Sequence, residues 1–275
     1  MPASPCQNPG VVRVELERVS DNSRQADADA VAVEQPLEIR LGFGPIDARS
    51  STVLSLTMRT PGNDADLAVG YLYGEGIISG FHEVLQCTLS PASTFIRVEL
   101  APSVCFDPAA NARHGFMSSA CGVCGRRHLS PVERAPAGKS SRRIHISDVC
   151  GLSLTLHNSQ DAFQRTGGIH AAALFNFDGT LALVREDVGR HNAVDKAIGA
   201  ALARGTELDS KILLVSGRAG YELVQKAVTA GIPVLAAIGA PSSLAIELAD
   251  RFDLTLIGFL RKDRFNLYTS PWRLA

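Results

Sequence analysis

Lys211-Ile-Leu-Leu-Val-Ser-Gly-Arg-Ala-Gly-Tyr-Glu-Leu-Val-Gln-Lys-Ala-Val-Thr-Ala-Gly-Ile-Pro-Val-Leu-Ala-Ala-Ile-Gly-Ala-Pro-Ser-Ser243 is the stretch that decides the fold. Its first apolar run, 211–216, shows no polar alternation and predicts a strand buried on both faces. The loop Gly217-Arg218-Ala219-Gly220 follows, then a helix with Leu223, Val224, Ala227 and Val228 inward and a Glu222/Lys226 pair outward. Gly231 and Pro233 end that helix, 232–238 reads as a second buried strand, Ser242 or Ser243 caps a helix to Phe252, and 254–259 is a third strand. Strand and helix in this alternation predict an α/βfold of the βαβαβ kind, with a mostly parallel sheet flanked by helices.

Working upstream, 172–177 and 180–185 are apolar runs joined by Asp178-Gly179, a hairpin signal. Val188-Gly189-Arg190-His191-Asn192 then opens a helix with Ala193, Val194, Ala197, Ile198, Ala201 and Leu202 on one face, closing at Gly205, and Asp187 is the expected cap. Residues 144–275 thus form one α/βdomain. Three of its loops, Ser216-Gly217-Arg218, Gly239-Ala240-Pro241-Ser242-Ser243 and Phe259-Leu260-Arg261-Lys262, follow strand carboxyl ends, where open α/βsheets bind ligands. Glycine, hydroxyl and cationic groups there suit phosphate oxygens. A phosphorylated or nucleotide-bearing ligand is expected, although neither a Walker nor a dinucleotide fingerprint is present.

His170 follows Gly167 and Gly168, which permit close approach of backbone to a ligand, and is a candidate for ligand contact or acid/base work as well as for a structural role. Arg190 and His191 lie in a first helical turn, where free N–H groups favour an anion. Ser216 and Ser242 serve equally well as helix caps or phosphate contacts.

In the N-terminal half, 38–41 and 51–58 read as strands, and Thr60-Pro61-Gly62-Asn63-Asp64 is a turn. Asp64 or Asp66 caps a helix through Leu67, Ala68, Tyr71 and Leu72, stopped by Gly74 and Gly76; 86–89 and 94–100 are further strands. Residues 34–104 are therefore a smaller α+βdomain. Before it, 1–33 is expected to be a flexible segment, polar and poor in large apolar groups over 21–29, with 11–19 either an edge strand or a frayed tail.

Residues 105–143 lack hydrophobic periodicity and read as a mobile basic loop containing Ser119-Ala-Cys121-Gly-Val-Cys124-Gly125. A Cys-x-x-Cys pair is half of a zinc site, a redox couple, or a nucleophilic thiol with a companion. Between Arg113 and His145 there are seven Lys/Arg and one acid, Glu133. Such cations favour thiolate over thiol. The deaminase pattern, His-x-Glu with a downstream Pro-Cys-x-x-Cys, is missing: Ala171 and Ala172 follow His170, and the thiols lie upstream. A thioredoxin-like placement, at a helix start after a strand, is missing too.

The chain has 275 residues, 45% of them hydrophobic, and a net charge of −1, so nothing global supports nucleic-acid or membrane-surface binding. The N-terminal residues carry no signal-peptide pattern and no segment reaches membrane-span length, so a cytoplasmic protein is expected. Six scattered cysteines do not suggest a disulfide scaffold.

Taken together, Glu34-Gln-Pro-Leu-Glu-Ile-Arg, Met58-Arg-Thr-Pro-Gly-Asn-Asp, Gly70-Tyr-Leu-Tyr-Gly-Glu-Gly-Ile-Ile, the Cys121/Cys124 motif, Thr166-Gly-Gly-Ile-His-Ala-Ala-Ala, Glu186-Asp-Val-Gly-Arg-His-Asn-Ala-Val-Asp-Lys, Ser216-Gly-Arg and Gly258-Phe-Leu-Arg resemble the formate dehydrogenase accessory sulfurtransferase family (FdhD/NarQ). The likeness runs from about residue 34 to 271. It implies a homodimeric cytoplasmic sulfurtransferase that carries persulfide sulfur from a cysteine desulfurase to the molybdenum (or tungsten) bis-guanine-dinucleotide cofactor, for insertion into formate dehydrogenase. It also implies a cytidine-deaminase-like C-terminal domain that binds the cofactor by its guanosine diphosphate ends, with no tightly held metal of its own. By the same resemblance Cys121 matches the persulfide-forming position and Cys124 its companion, while Phe259, Leu260, Arg261, Lys262, Asp263 and Arg264 match the cofactor-binding stretch. Ala120 stands where many members carry Ser. The alternative from another class is a non-catalytic cofactor chaperone whose thiol pair binds structural zinc.

Overall fold

The computed structural model describes residues 9–108 and 143–275. Its larger sheet has six strands in the order β12-β11-β10-β9-β7-β8. They are β7 (His170–Asn176), β8 (Leu181–Asp187), β9 (Lys211–Val215), β10 (Val234–Ala237), β11 (Thr255–Gly258) and β12 (Asn266–Leu267). Alternate residues of the central strands serve two cores. Leu174, Leu213, Val215, Leu235 and Leu256 face α4 (Arg190–Ala203), α5 (Tyr221–Thr229) and α6 (Ser243–Arg251). Ala173, Phe175, Ile212, Leu214, Val234 and Ile257 face α2 (Ile146–Asn158). Every residue of β10 and β11 is buried, as strands covered on both faces must be.

The sheet is mixed rather than mostly parallel. Only β9/β10 and β10/β11 pair in parallel; β7/β8, β7/β9 and β11/β12 are antiparallel. The Asp178-Gly179 turn reverses the chain after β7, and the crossover through α4 then sets β9 beside β7 running the opposite way.

A four-stranded sheet, order β4-β3-β6-β5, is built from β3 (Gln35–Phe43), β4 (Ser50–Arg59), β5 (Val84–Leu89) and β6 (Phe95–Leu100). Leu37, Ile39 and Leu41 alternate inward on β3 and meet Ile96, Val98 and Leu100 of β6 and Leu67 and Leu72 of α1 (Asp64–Gly74). Asn63 in the left-handed region at φ 56°, not Asp64 or Asp66, occupies the N-cap of α1. Asp64 instead pairs with the fully buried Arg59 at 2.6 Å.

Ahead of these lie β1 (Val11–Ser20) and β2 (Ser23–Ala32), an antiparallel hairpin in continuous register from Val11↔Ala32 to Ser20↔Ser23. Of the two readings of 11–19 the strand is the one present, whereas 21–29, expected to be disordered or linking, forms the turn and most of β2. Low hydrophobicity disfavours burial but does not prevent backbone pairing across a two-residue turn, and the hairpin also leans on the short helix α3 (Asp161–Thr166).

The two sheets are joined where α1 crosses α4. A Cβ at Gly70 would strike the backbone of Asp195, and one at Gly199 the backbone of Asp66, so the helices touch backbone to backbone. Beside the crossing, Lys196 and Asp187, 1% and 0% exposed, pair at 2.7 Å. The Lys196 Nζ also donates to the Thr60 carbonyl at 2.8 Å, and the Asp187 Oδ2 accepts from the Thr60 N–H at 3.1 Å. Asn192 donates from Nδ2 to the Met58 carbonyl at 2.7 Å and to Asp187 Oδ1 at 3.0 Å. Asp187 is therefore the centre of a buried network and not the cap of α4, whose N-cap is Gly189 with no side-chain cap bond. Glu222 and Lys226 do not pair outward either: Glu222 meets His191 at 2.7 Å and Lys226 meets Asp195 at 2.6 Å. Ser242 does cap α6, accepting from the Ala245 N–H.

The crossing predicts opposite outcomes for two helical glycines. Gly199→Ala should lose about 2 kcal/mol or more of unfolding free energy in urea titration, because backbone on both sides resists the methyl. Gly151→Ala, on the exposed face of α2 with nothing within 4 Å, should gain about 0.5–1 kcal/mol.

Candidate functional site

Strands β9, β10 and β11 run in parallel, so the loops after them emerge on one edge of the sheet. There they meet the α2–α3 corner around a cavity of about 600 Å3. Of the residues expected from sequence, Gly168, His170, Ser216, Leu260, Arg261 and Lys262 line it. Arg261 Nη1 donates to the Ile238 carbonyl at 2.7 Å and to the Leu260 carbonyl at 2.8 Å, tying the loop after β11 to the end of β10.

The other expected residues stand around that cavity rather than in its wall. A Cβ on Gly217 would come 3.4 Å from His170 Cε1 and 3.9 Å from Arg190 Cδ, so these three are packed together. Arg218 is exposed and lies against Gly239, where a Cβ would approach its Cγ to 3.0 Å. His191 turns to Glu222. Phe259 is 42% exposed in the left-handed region at φ 53° and is held by its N–H to the Gly239 carbonyl at 3.0 Å. Asp263 and Arg264 are exposed, and the Arg264 carbonyl accepts from the Arg261 N–H at 2.8 Å to close the turn. Cys121 and Cys124 lie outside the described residues, as does most of the basic cluster around them.

His170 Nδ1 sits 3.4 Å from Ser216 Oγ, which itself accepts from the Ala171 N–H at 2.9 Å. Burial, then the charges of Arg190 and His191, hold the His170 imidazole below its ordinary range, so it faces the cavity uncharged at neutral pH. A neutral imidazole keeps one nitrogen as donor and the other as acceptor.

Sequence reasoning missed the α2–α3 corner, which adds His157, Gln160 and Phe163 to the wall. The signal for α2 was present in Val149, Leu152 and Leu156 at i, i+3 and i+7, all buried. The support of α3 was not readable: the Glu186 carboxylate accepts from the Ala162 and Phe163 N–H groups, each at 2.9 Å, across a gap of more than twenty residues. Burial pushes this carboxyl above its ordinary range.

Residues 32–275 match the model of the FdhD/NarQ family. The chain belongs to that family. It is 42% identical over 282 residues to the sulfur carrier protein FdhD of Streptomyces coelicolor, covering 96% of this chain and 95% of that one. The sulfur carrier protein FdhD of Mycobacterium tuberculosis is 44% identical over 262 residues, covering 90% and 92%. That of Saccharolobus solfataricus is 40% identical over 265 residues, covering 96% and 98%. The crystal structure of a Desulfotalea psychrophila protein, assigned as a formate dehydrogenase accessory protein, superposes with a TM-score of 0.75 at 24% identity over 97% of this chain and all of that one, which shows a shared fold. The curated relatives are thus named as sulfur carriers along almost their whole length. Among the described residues, no helix is long and apolar enough to cross a membrane, and no group of three or more His, Cys, Asp or Glu could hold a metal ion.

Because the folded-state value of His170 is depressed below 6.5, the unfolded chain binds the extra proton first as pH falls. Stability should therefore decline as pH drops from 6.5 toward the lowered value, and His170→Gln should flatten that part of the profile. Urea midpoints between about pH 5 and pH 8 check it.

Proposed function

We propose that this protein is a sulfurtransferase that carries persulfide sulfur on Cys121, with Cys124 as its companion, from a cysteine desulfurase to the molybdenum (or tungsten) bis-guanine-dinucleotide cofactor destined for formate dehydrogenase. The observation that carries the reading is the coincidence of whole-chain kinship to sulfur carriers with one cavity that gathers glycine, hydroxyl, imidazole and cationic groups at three strand ends.

In the first step a Cys121 thiolate attacks the outer sulfur of the desulfurase persulfide, forming Cys121–S–S⁻ and releasing the desulfurase cysteine as thiolate. Attack of Cys124 on the Cys121 Sγ then releases the outer sulfur as sulfide and leaves a Cys121–Cys124 disulfide. The lysine and arginine excess around these thiols favours the ionised forms that both steps need.

The cofactor is the substrate here, held at the cavity of a cytidine-deaminase-like domain. Gly168, Ser216, Arg261 and Lys262 suit its phosphates, Phe259, Asp263 and Arg264 extend the rim, and Gly217, Arg218, Arg190 and His191 stand around it. A cavity of about 600 Å3 matches one nucleotide end, not a whole bis-dinucleotide. A homodimer supplies two such cavities, one for each guanosine diphosphate end. Neutral His170 offers a donor or acceptor without adding a further cation beside Arg261 and Lys262. The cytoplasm is the compartment in which desulfurase, cofactor and reduced thiols coexist.

Intact mass after incubation with a cysteine desulfurase and cysteine tests the relay. Cys124→Ala should gain one sulfur atom and keep it, Cys121→Ala should gain none, and wild type should gain one and then lose it as sulfide while the disulfide forms. No gain in any folded variant would refute the covalent relay.

A further inference from the structure

Gln160 is 4% exposed, sits in the cavity wall at the corner between α2 and α3, and its Nε2 has no hydrogen-bond partner. An amide donor buried without a partner has lost its hydrogen bonds to water with nothing in return, so such a group at a ligand cavity needs a compensating acceptor. The terminal torsion of a glutamine side chain is soft, so a small rotation turns Nε2 toward the cavity.

The neighbours of Gln160 define the kind of acceptor. His157 and Phe163 flank it at i−3 and i+3, both in the wall, with ring centroids 6.3 Å apart and planes at 73°. Leu156 adds an apolar surface beside them. Aromatic and aliphatic groups beside a buried amide donor suit a flat heterocycle that presents an acceptor at its edge. The corner is also held rigidly: Glu186 accepts from the first N–H groups of α3, and Gln164 Nε2 donates to the His157 carbonyl at 3.0 Å. A donor carried on a fixed backbone discriminates by hydrogen bonding, because the wrong base leaves it unpaired.

We infer that Gln160 is the residue that selects the base of the bound nucleotide, donating from Nε2 to a ring carbonyl and so favouring an oxo-purine such as guanine over an amino-purine such as adenine. This rests on the cavity being the nucleotide subsite proposed above. A ring carbonyl accepts from Nε2, whereas the exocyclic amine of adenine at the same place is itself a donor and leaves the amide unpaired.

Titration calorimetry of the full chain with guanosine, inosine and adenosine 5′-diphosphates tests it. Wild type should bind the guanosine and inosine compounds alike, since both carry the ring carbonyl, and the adenosine compound about tenfold more weakly. In Gln160→Met, which keeps the side-chain volume, the first two should fall to the adenosine level and adenosine diphosphate should be unchanged. A wild type that binds adenosine diphosphate as tightly as guanosine diphosphate overturns the inference without needing any variant. So does a Gln160→Met protein, melting as wild type does, that keeps the wild-type preference; in both cases the cavity stands as the nucleotide site. Failure of wild type to bind any of the three would overturn the cavity assignment and the base selection together.

Discussion

Lys196 and Asp187 are charged, almost wholly buried and 2.7 Å apart, and much of the molecule is arranged to make that tolerable. Removing two ions from water costs several kcal/mol each unless their hydrogen-bonding capacity is filled. Here the ammonium meets the Asp187 carboxylate and the Thr60 and Glu186 carbonyls, while the carboxylate also takes the Thr60 and Gly189 N–H groups and the Asn192 amide. Both halves of the chain supply partners. The two sheets are thus held in one relation by a network that is satisfied only when they meet, and the close glycine contact of α1 with α4 leaves no room for another approach.

That constraint reaches the cavity through neighbours in sequence. Asp187 ends β8 inside the network, while Glu186, one residue earlier, turns the other way and holds α3. Gly189 and Arg190 follow directly, which sets Arg190 beside His170 and Gly217. The wall of the cavity is therefore positioned by the same strand end that locks the sheets together. Preorganisation of this kind spares a site the cost of ordering its own loops on binding.

Two features of different kinds carry the proposed function. One is a thiol pair in a basic stretch, whose chemistry follows from residue types and spacing. The other is a cavity at the strand ends, whose chemistry follows from side chains that come from separate segments. The proposed function joins them, with the sulfur on the thiol pair and its acceptor in the cavity.

Some of this was legible in the residues alone. The runs at 211–216 and 232–238 are apolar throughout because their strands are covered on both faces, and Asp178-Gly179 is a turn whatever surrounds it. The loops after these strands were likewise placed by the alternation of strand and helix. The antiparallel pairing of β7 with β9 was not legible, because strand order is set by the path of the crossover and leaves no local periodicity. Nor was β2 or its pairing with β1, whose backbone bonds are indifferent to its polar side chains. Asp187, Glu222 and Lys226 were assigned to caps and surface pairs since those are the partners available within a few residues; their actual partners lie on other elements. Sequence by itself determined the secondary structure of the buried strands, the family and the thiol motif, all of which depend on near neighbours or on residue identity. Only the tertiary structure decided which groups face the cavity, that Gln160 is an unpartnered donor there, and that Asp187 and Lys196 join the two sheets, because contacts between residues more than a hundred positions apart exist only once the chain has folded.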